Sequence, residues 1–173
     1  PALTISGSGF LFAGSATGLS SNSAFAVGSG GTLDLGGFSN TIGSLADVAG
    51  TGGAISNTSV AGTAATLTTG GDNTSTTYAG TINDGNGEME RVKVGTGTQN
   101  MTGTSNYTGG TQIFEGVLGV GSATALGSGA VTFTGAGTLN GIANVAFGHD
   151  IVLLANGPPS GSGVRSFFAR PPP

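Results

Sequence analysis

Cysteine and tryptophan are absent from this chain, and charge is scarce. Without Cys there is no disulfide framework, no thiolate zinc site and no thiol nucleophile. The same lack suits a cytosolic protein, and equally a secreted one that must stay unlocked during export. Charged residues are 7% of the 173, against about 25% in an average domain. Only four residues are Lys or Arg and the formal net charge is −4, so there is no electrostatic footprint for nucleic acid or anionic lipid. The longest apolar run, Ile151-Val152-Leu153-Leu154-Ala155, falls far short of the ~20 residues of a membrane helix. The chain opens on Pro1 with neither Met nor a basic stretch, the look of a processed product or an excised fragment.

What is present is small and polar. Gly (36), Thr (24), Ser (18) and Asn (11) together supply 89 residues, just over half the chain. Glycine- and serine-rich chains of low hydrophobicity are usually linkers or disordered. Disorder, however, comes with high net charge and few β-branched residues. Here charge is low, Thr, Val and Ile are plentiful, and mean hydropathy is positive at +0.21. Leu3-Thr4-Ile5, Leu33-Asp34-Leu35, Val117-Leu118-Gly119-Val120 and Val131-Thr132-Phe133 are short alternating strings with the look of strands. Helix is nearly excluded, because each interior glycine costs ~1 kcal/mol relative to Ala. The best helical candidate is the short Ser44–Ala49 stretch, closed by Gly50.

Strand–turn units begin at Leu3, Leu33, Leu67, Met101 and Val131, at spacings of 30, 34, 34 and 30. A period in this range signals a solenoid, a propeller or an array. Propeller blades are longer and carry Trp-Asp signatures, which a chain without Trp cannot have. Each unit holds only two or three apolar side chains, too few to offset an ordering cost of ~1–2 kcal/mol per residue. Stacked rungs solve this, each strand pairing with the rung above and below at ~4.8 Å. Residues 1–156 then form a β-helix of about seven or eight rungs at ~20 residues each, with small inward side chains and a roughly 35–40 Å stack. Residues 157–173 carry all but one of the six prolines and read as an extended tail or linker, or an expression scar. Its Phe167-Phe168 pair, between Arg165 and Arg170, is suited to docking on a neighbouring surface.

Three strings stand in order between Val94 and Gly141: Asn106-Tyr107-Thr108-Gly109-Gly110-Thr111, Gly116-Val117-Leu118-Gly119-Val120 and Leu126-Gly127-Ser128-Gly129. Together they closely resemble the passenger-associated transport repeat of bacterial autotransporters. Upstream, Leu33–Phe38 and Ile42-Gly43-Ser44-Leu45 also look like passenger sequence, so the resemblance covers most of residues 25–141. It implies an all-β, right-handed parallel β-helix, exported through the outer membrane by a separate translocator barrel of a longer precursor. It also implies a structural, export-related repeat without catalysis, on the cell surface or outside the cell. Glu88-Met89-Glu90-Arg91-Val92-Lys93 departs from the pattern, holding four of the twelve charged residues, and reads as a solvated rung face, with a partner-contact patch as the alternative.

Chemistry-bearing motifs are weak. His149-Asp150 are adjacent, but no serine sits in a Gly-x-Ser-x-Gly elbow beside an α/β pattern. Asn83-Asp84-Gly85-Asn86-Gly87-Glu88 resembles the middle of a calcium loop, yet Ile82 and Lys93 fall at its end ligand positions. It reads as a tight hairpin or a rung turn. Gly28-x-Gly30-Gly31 and Gly50-x-Gly52-Gly53 lack the following helix and Lys of a nucleotide loop. The acids Asp34, Asp72, Asp84, Glu88, Glu90 and Glu115 are scattered rather than paired for glycosidase work. Sequons at Asn57, Asn73, Asn100 and Asn106 are near chance in so Thr/Ser-rich a chain.

The expectation is a non-catalytic stalk or adhesion scaffold of a surface-displayed passenger, with no catalytic, cofactor or metal residues. Its expected partners are its own barrel and a host-surface or glycan ligand. The alternative is a homo-oligomeric filament subunit, because a cut β-helix exposes an unpaired rung that templates another chain. A polysaccharide-active β-helix is the lesser alternative.

Overall fold

In the computed structural model, residues 2–153 are described, and they form a parallel β-helix of about seven turns without any helix. The first turn carries β1 (Leu3–Ile5) and β2 (Phe10–Phe12). The second has β3 (Ala24–Val27), β4 (Thr32–Asp34) and β5 (Asn40–Ile42). The third has β6 (Ser44–Ala46), β7 (Ala54–Ser56) and β8 (Ala65–Thr69). The fourth has β9 (Thr76–Tyr78), β10 (Thr81–Ile82) and β11 (Met89–Lys93). Then β12 (Thr98–Met101) and β13 (Thr111–Ile113) make the fifth, β14 (Val117–Val120) and β15 (Val131–Phe133) the sixth, and β16 (Thr138–Gly141) and β17 (Ile151–Leu153) the seventh. The tail expected over 157–173 lies outside the described residues.

The strands stack into three faces. β1, β3 and β6 form the upper part of the first face, and β9, β12, β14 and β16 the lower part. The Asp47 N–H donates to the Thr77 carbonyl at 3.0 Å and joins the two parts. β2, β4, β7 and β10 make the second face. β5, β8, β11, β13, β15 and β17 make the third, and every strand pair is parallel. On this third face Asn40, Leu67, Arg91, Thr111, Val131 and Ile151 stand in one column, so successive turns take 27, 24, 20, 20 and 20 residues. The apparent spacing of 30–34 is therefore not the coil period. Leu3 lies on the first face, Leu33 on the second, Leu67 on the third and Met101 back on the first. Strand–turn units look alike on all three faces, so a sequence match steps about one and a half turns.

Alternation sets the core. Ala65, Leu67 and Thr69 of β8 point inward while Thr66 and Thr68 are half-buried outside. Ile5, Phe25, Leu33, Ile42, Leu45, Ile55, Ile82, Met101, Ile113, Leu118 and Val131 fill the same interior. The expected filling of small residues is only partly met, since Tyr78, Tyr107, Arg91 and Lys93 are also among the largest fully buried side chains. Glycine is required where turns nearly touch: a Cβ on Gly52 would stand 1.8 Å from the Gly80 nitrogen, and one on Gly30 2.2 Å from the Gly7 carbonyl oxygen. The Gly28–Gly31 and Gly50–Gly53 runs are thus the corners of stacked turns.

The helical candidate Ser44–Ala49 is strand β6 followed by a tight turn. Ala49 (φ 54) and Gly50 (φ 75) both sit in the left-handed region, and Val48 and Thr51 form an antiparallel bridge around them. Two left-handed residues in a two-residue loop are the hairpin-turn geometry. Parallel pairing of β6 with β3 overrides the weak helical preference of Leu45 and Ala46.

Candidate functional site

The three strings between Asn106 and Gly129 occupy successive structural roles. In Asn106–Thr111, Tyr107 is fully buried and its hydroxyl bonds the Thr111 Oγ1 at 2.6 Å. Gly116–Val120 is a left-handed corner (Gly116, φ 69) leading into β14. Leu126–Gly129 then stacks on the first string, with the Ser128 N–H donating to the Tyr107 carbonyl at 3.0 Å. Each string is a corner or strand that its neighbour turn covers.

The acidic and amide side chains work as staples between turns. Asp34 is buried and accepts from the N–H groups of Gly36 (2.9 Å) and Thr58 (3.0 Å) and from the Thr58 hydroxyl. Asp47 accepts from Gly50 N–H in its own turn and Ala79 N–H in the next, at 2.9 and 3.1 Å. Asp84 accepts from Met89 N–H (2.7 Å) and from the N–H and hydroxyl of Thr108. This occupies the central carboxylate of the calcium-like segment, which is a rung turn as expected. Asn57 is fully buried, accepting from Gly37 N–H (2.7 Å) and donating to the carbonyls of Thr63 and Glu88 (2.8 and 3.0 Å). Asn73 accepts from Thr96 N–H at 2.9 Å, and Asp72 from the N–H and hydroxyl of Thr74. The bonds from backbone N–H groups to the Asp carboxylates are charge-assisted and among the stronger ones a fold has. Sequence patterns missed this role because the partners in neighbouring turns stand 20 or more residues away.

Glu90 is the one acid on the outward side of a third-face strand, held by the Thr66 hydroxyl (2.9 Å) and the Gln112 amide (2.5 Å). His149 directs its Nδ1 at the Gly129 carbonyl (3.1 Å) and tilts against the Phe147 ring, with centroids 4.6 Å apart. No hydrogen bond joins it to a serine among the described residues. No group of three His, Asp or Glu side chains converges to hold a metal ion among them either.

The segment 88–93 corrects the expectation of a solvated rung face. In β11, Met89, Arg91 and Lys93 are buried, and Glu90 and Val92 are the outward pair. The register with β8 forces this, placing Met89 on Ala65, Arg91 on Leu67 and Lys93 on Thr69. Arg91 and Lys93 are the only Lys or Arg residues among those described, and both lie inside the coil, at 0% and 1% exposure. Lys93 is well served: its Nζ donates to the carbonyls of Val94 (2.6 Å), Gly95 (2.8 Å) and Glu115 (3.3 Å). Burial, aided by neighbouring Arg91 and opposed by Glu115, brings its pKa down to about 8. Burial also depresses the Arg91 pKa and raises that of Tyr107.

At the upper end of the coil, β1 and β2 pair on one side only. Phe10 and Phe12 of β2 are 63% and 50% exposed.

Set against known proteins, the chain matches no family model, no curated protein and no solved structure. The fold defines a class, the parallel β-solenoids, and a solenoid by itself assigns no role.

Proposed function

We propose that the chain is a structural, non-catalytic stretch of a secreted or surface-displayed β-helical passenger of the autotransporter type, acting as a stalk or adhesion scaffold. The observation that carries this reading is the deployment of its carboxylates. Asp34, Asp47 and Asp84 each bind backbone N–H groups of a following turn, so their oxygens hold rungs together. A general acid or nucleophile instead needs a carboxyl facing a reacting group. A stack of this kind grows by adding one hydrogen-bonded rung to the last, since each repeat contacts only its neighbours. It can therefore fold as it emerges outside the cell, without ATP. The three repeat strings favour the autotransporter version of this scaffold over other solenoids, with the precursor's own barrel as its first partner and a host-surface or glycan ligand as its target.

The test is display. The chain is fused ahead of an autotransporter barrel in a Gram-negative host, and intact cells are treated with protease. The expected result is a surface-exposed, protease-resistant fragment. Retention in the periplasm, or complete digestion at the surface, overturns the reading.

A second reading, a filament subunit, is favoured by the half-paired β1 and β2 and the exposed Phe10 and Phe12. An edge of this kind recruits another strand. Electron microscopy of the purified chain separates the two, discrete particles supporting the stalk and regular fibres the filament.

A further inference from the structure

We propose that the coil interior around the fourth and fifth turns binds a small monatomic anion, chloride in chloride-containing media, on the Nε and Nη1 groups of Arg91. The inference is independent of the passenger reading. Arg91 has no exposed surface, and its one hydrogen bond runs from Nη2 to the Thr69 Oγ1 at a long 3.4 Å. Its Nε and Nη1 are buried and without a hydrogen-bond partner among the described residues. A guanidinium brings five N–H donors and no acceptor. A buried cation left unpaired is strongly destabilising, which is why buried charges are paired or neutralised.

Inside the coil the protein's own acceptors beside Arg91 are committed elsewhere, and the unpartnered Asn100 Oδ1 stands on the outward side of β12. Asp34 is the only buried carboxylate among the described residues, and it is two turns away, filled by Gly36 and Thr58. The nearby carbonyls of Val94, Gly95 and Glu115 all go to Lys93. Thr111, the next residue down the Arg91 column, is hydrogen-bonded to Tyr107. Only one of their two hydroxyl protons lies between them, which leaves a further donor. The interior around Arg91 therefore has donors in excess and a guanidinium with no carboxylate bonded to it, whereas Lys93 has Glu115 near it. A negatively charged acceptor balances the guanidinium. Tyr78, Ile82 and Met89, which line the same turn, are completely buried. That packing favours a single ion over phosphate or a sugar acid.

Because Arg91 is sealed, the ion enters as the coil closes, so loading is done by refolding rather than soaking. The whole chain is unfolded in urea and refolded at constant ionic strength, with gluconate replaced stepwise by chloride or bromide. The expected result is a saturable rise in the urea midpoint for the wild type that Arg91→Gln lacks. Crystals of bromide-refolded protein are expected to show an anomalous peak within hydrogen-bond reach of Nε and Nη1. Equal halide responses in the two proteins overturn the proposal, as does a water or a protein carbonyl at those nitrogens. If Arg91→Gln fails to fold, the anomalous map of the wild type decides alone.

Discussion

β8 and β11 lie side by side on the third face, five residues each, with the same alternation of buried and half-buried positions. One turns Ala65, Leu67 and Thr69 into the coil; the other turns in Met89, Arg91 and Lys93. Their outer surfaces differ less, with Thr66 and Thr68 beside Glu90 and Val92. The contrast teaches that in a stacked rung, position in the ladder decides which side chains are buried. Side-chain chemistry then adapts: Lys93 by collecting carbonyls, Arg91 by keeping donors for a partner of opposite charge. A one-residue slip of β11 would bury Glu90 and Val92 instead, but it would also break a five-residue register with β8 and a three-residue one with β13.

Exchanging residues between the two strands sharpens this contrast. The largest effect is expected from Leu67→Arg, which sets a second guanidinium directly over Arg91. Its cost is more than about 4 kcal/mol, or loss of folding, by urea denaturation. Near-normal stability would mean that the interior is open to water.

The reverse change, Arg91→Met, is expected to leave stability equal or to raise it by about 1–4 kcal/mol, because a well-packed apolar residue avoids desolvating the guanidinium. A loss of that size would show that Arg91 and its partner together hold the turn in place.

Next is the pH response. The Lys93 pKa lies at about 8 in the folded chain, below the usual 10.5. Between those values the unfolded chain binds a proton that the folded chain has released, so stability rises with pH. Above the usual tyrosine value of 10.0, buried Tyr78 keeps a proton that the unfolded chain loses, and stability falls again. Tyr107, raised by its burial, adds to the fall. The maximum is thus expected near pH 10, and Lys93→Met removes the rising limb. A flat profile in the wild type would place the ammonium in water.

The smallest effect is expected from Thr69→Val on β8. The Arg91–Thr69 bond at 3.4 Å is long, so its loss costs less than about 1 kcal/mol. A loss of 2 kcal/mol or more would identify Thr69 as the group that carries the guanidinium.

Much of the scaffold was legible beforehand. Leu3–Ile5, Val117–Val120 and Val131–Phe133 are strands as their alternation predicts. The repeat of similar units predicts a solenoid, and about seven turns agree with about 20 residues per rung. The coil period itself was hidden, because a strand of three residues carries no label of the face it will join. The staples were hidden too: nothing local links Asn57 to Gly37 and Glu88, or Asp84 to Thr108. Met-Glu-Arg-Val-Lys was misread for a related reason. A cation beside an acid in sequence suggests an exposed strand, whereas the pairing with Ala65–Thr69 puts alternate residues on opposite sides of the sheet.

By itself the amino-acid order determined that this polymer forms short strands broken by glycine corners, that helix is nearly excluded, and that no single strand–turn unit can bury enough surface alone. Those are local consequences of backbone freedom, β-branching and the shortage of apolar residues. Only the tertiary structure decided how many residues make each turn, which side of β11 faces inward, and that the Arg and the Lys between residues 2 and 153 end up inside. In a ladder with a period of two, the neighbouring rung sets that parity for the whole strand, and the hydrogen bonds that enforce it join residues 20 to 27 positions apart.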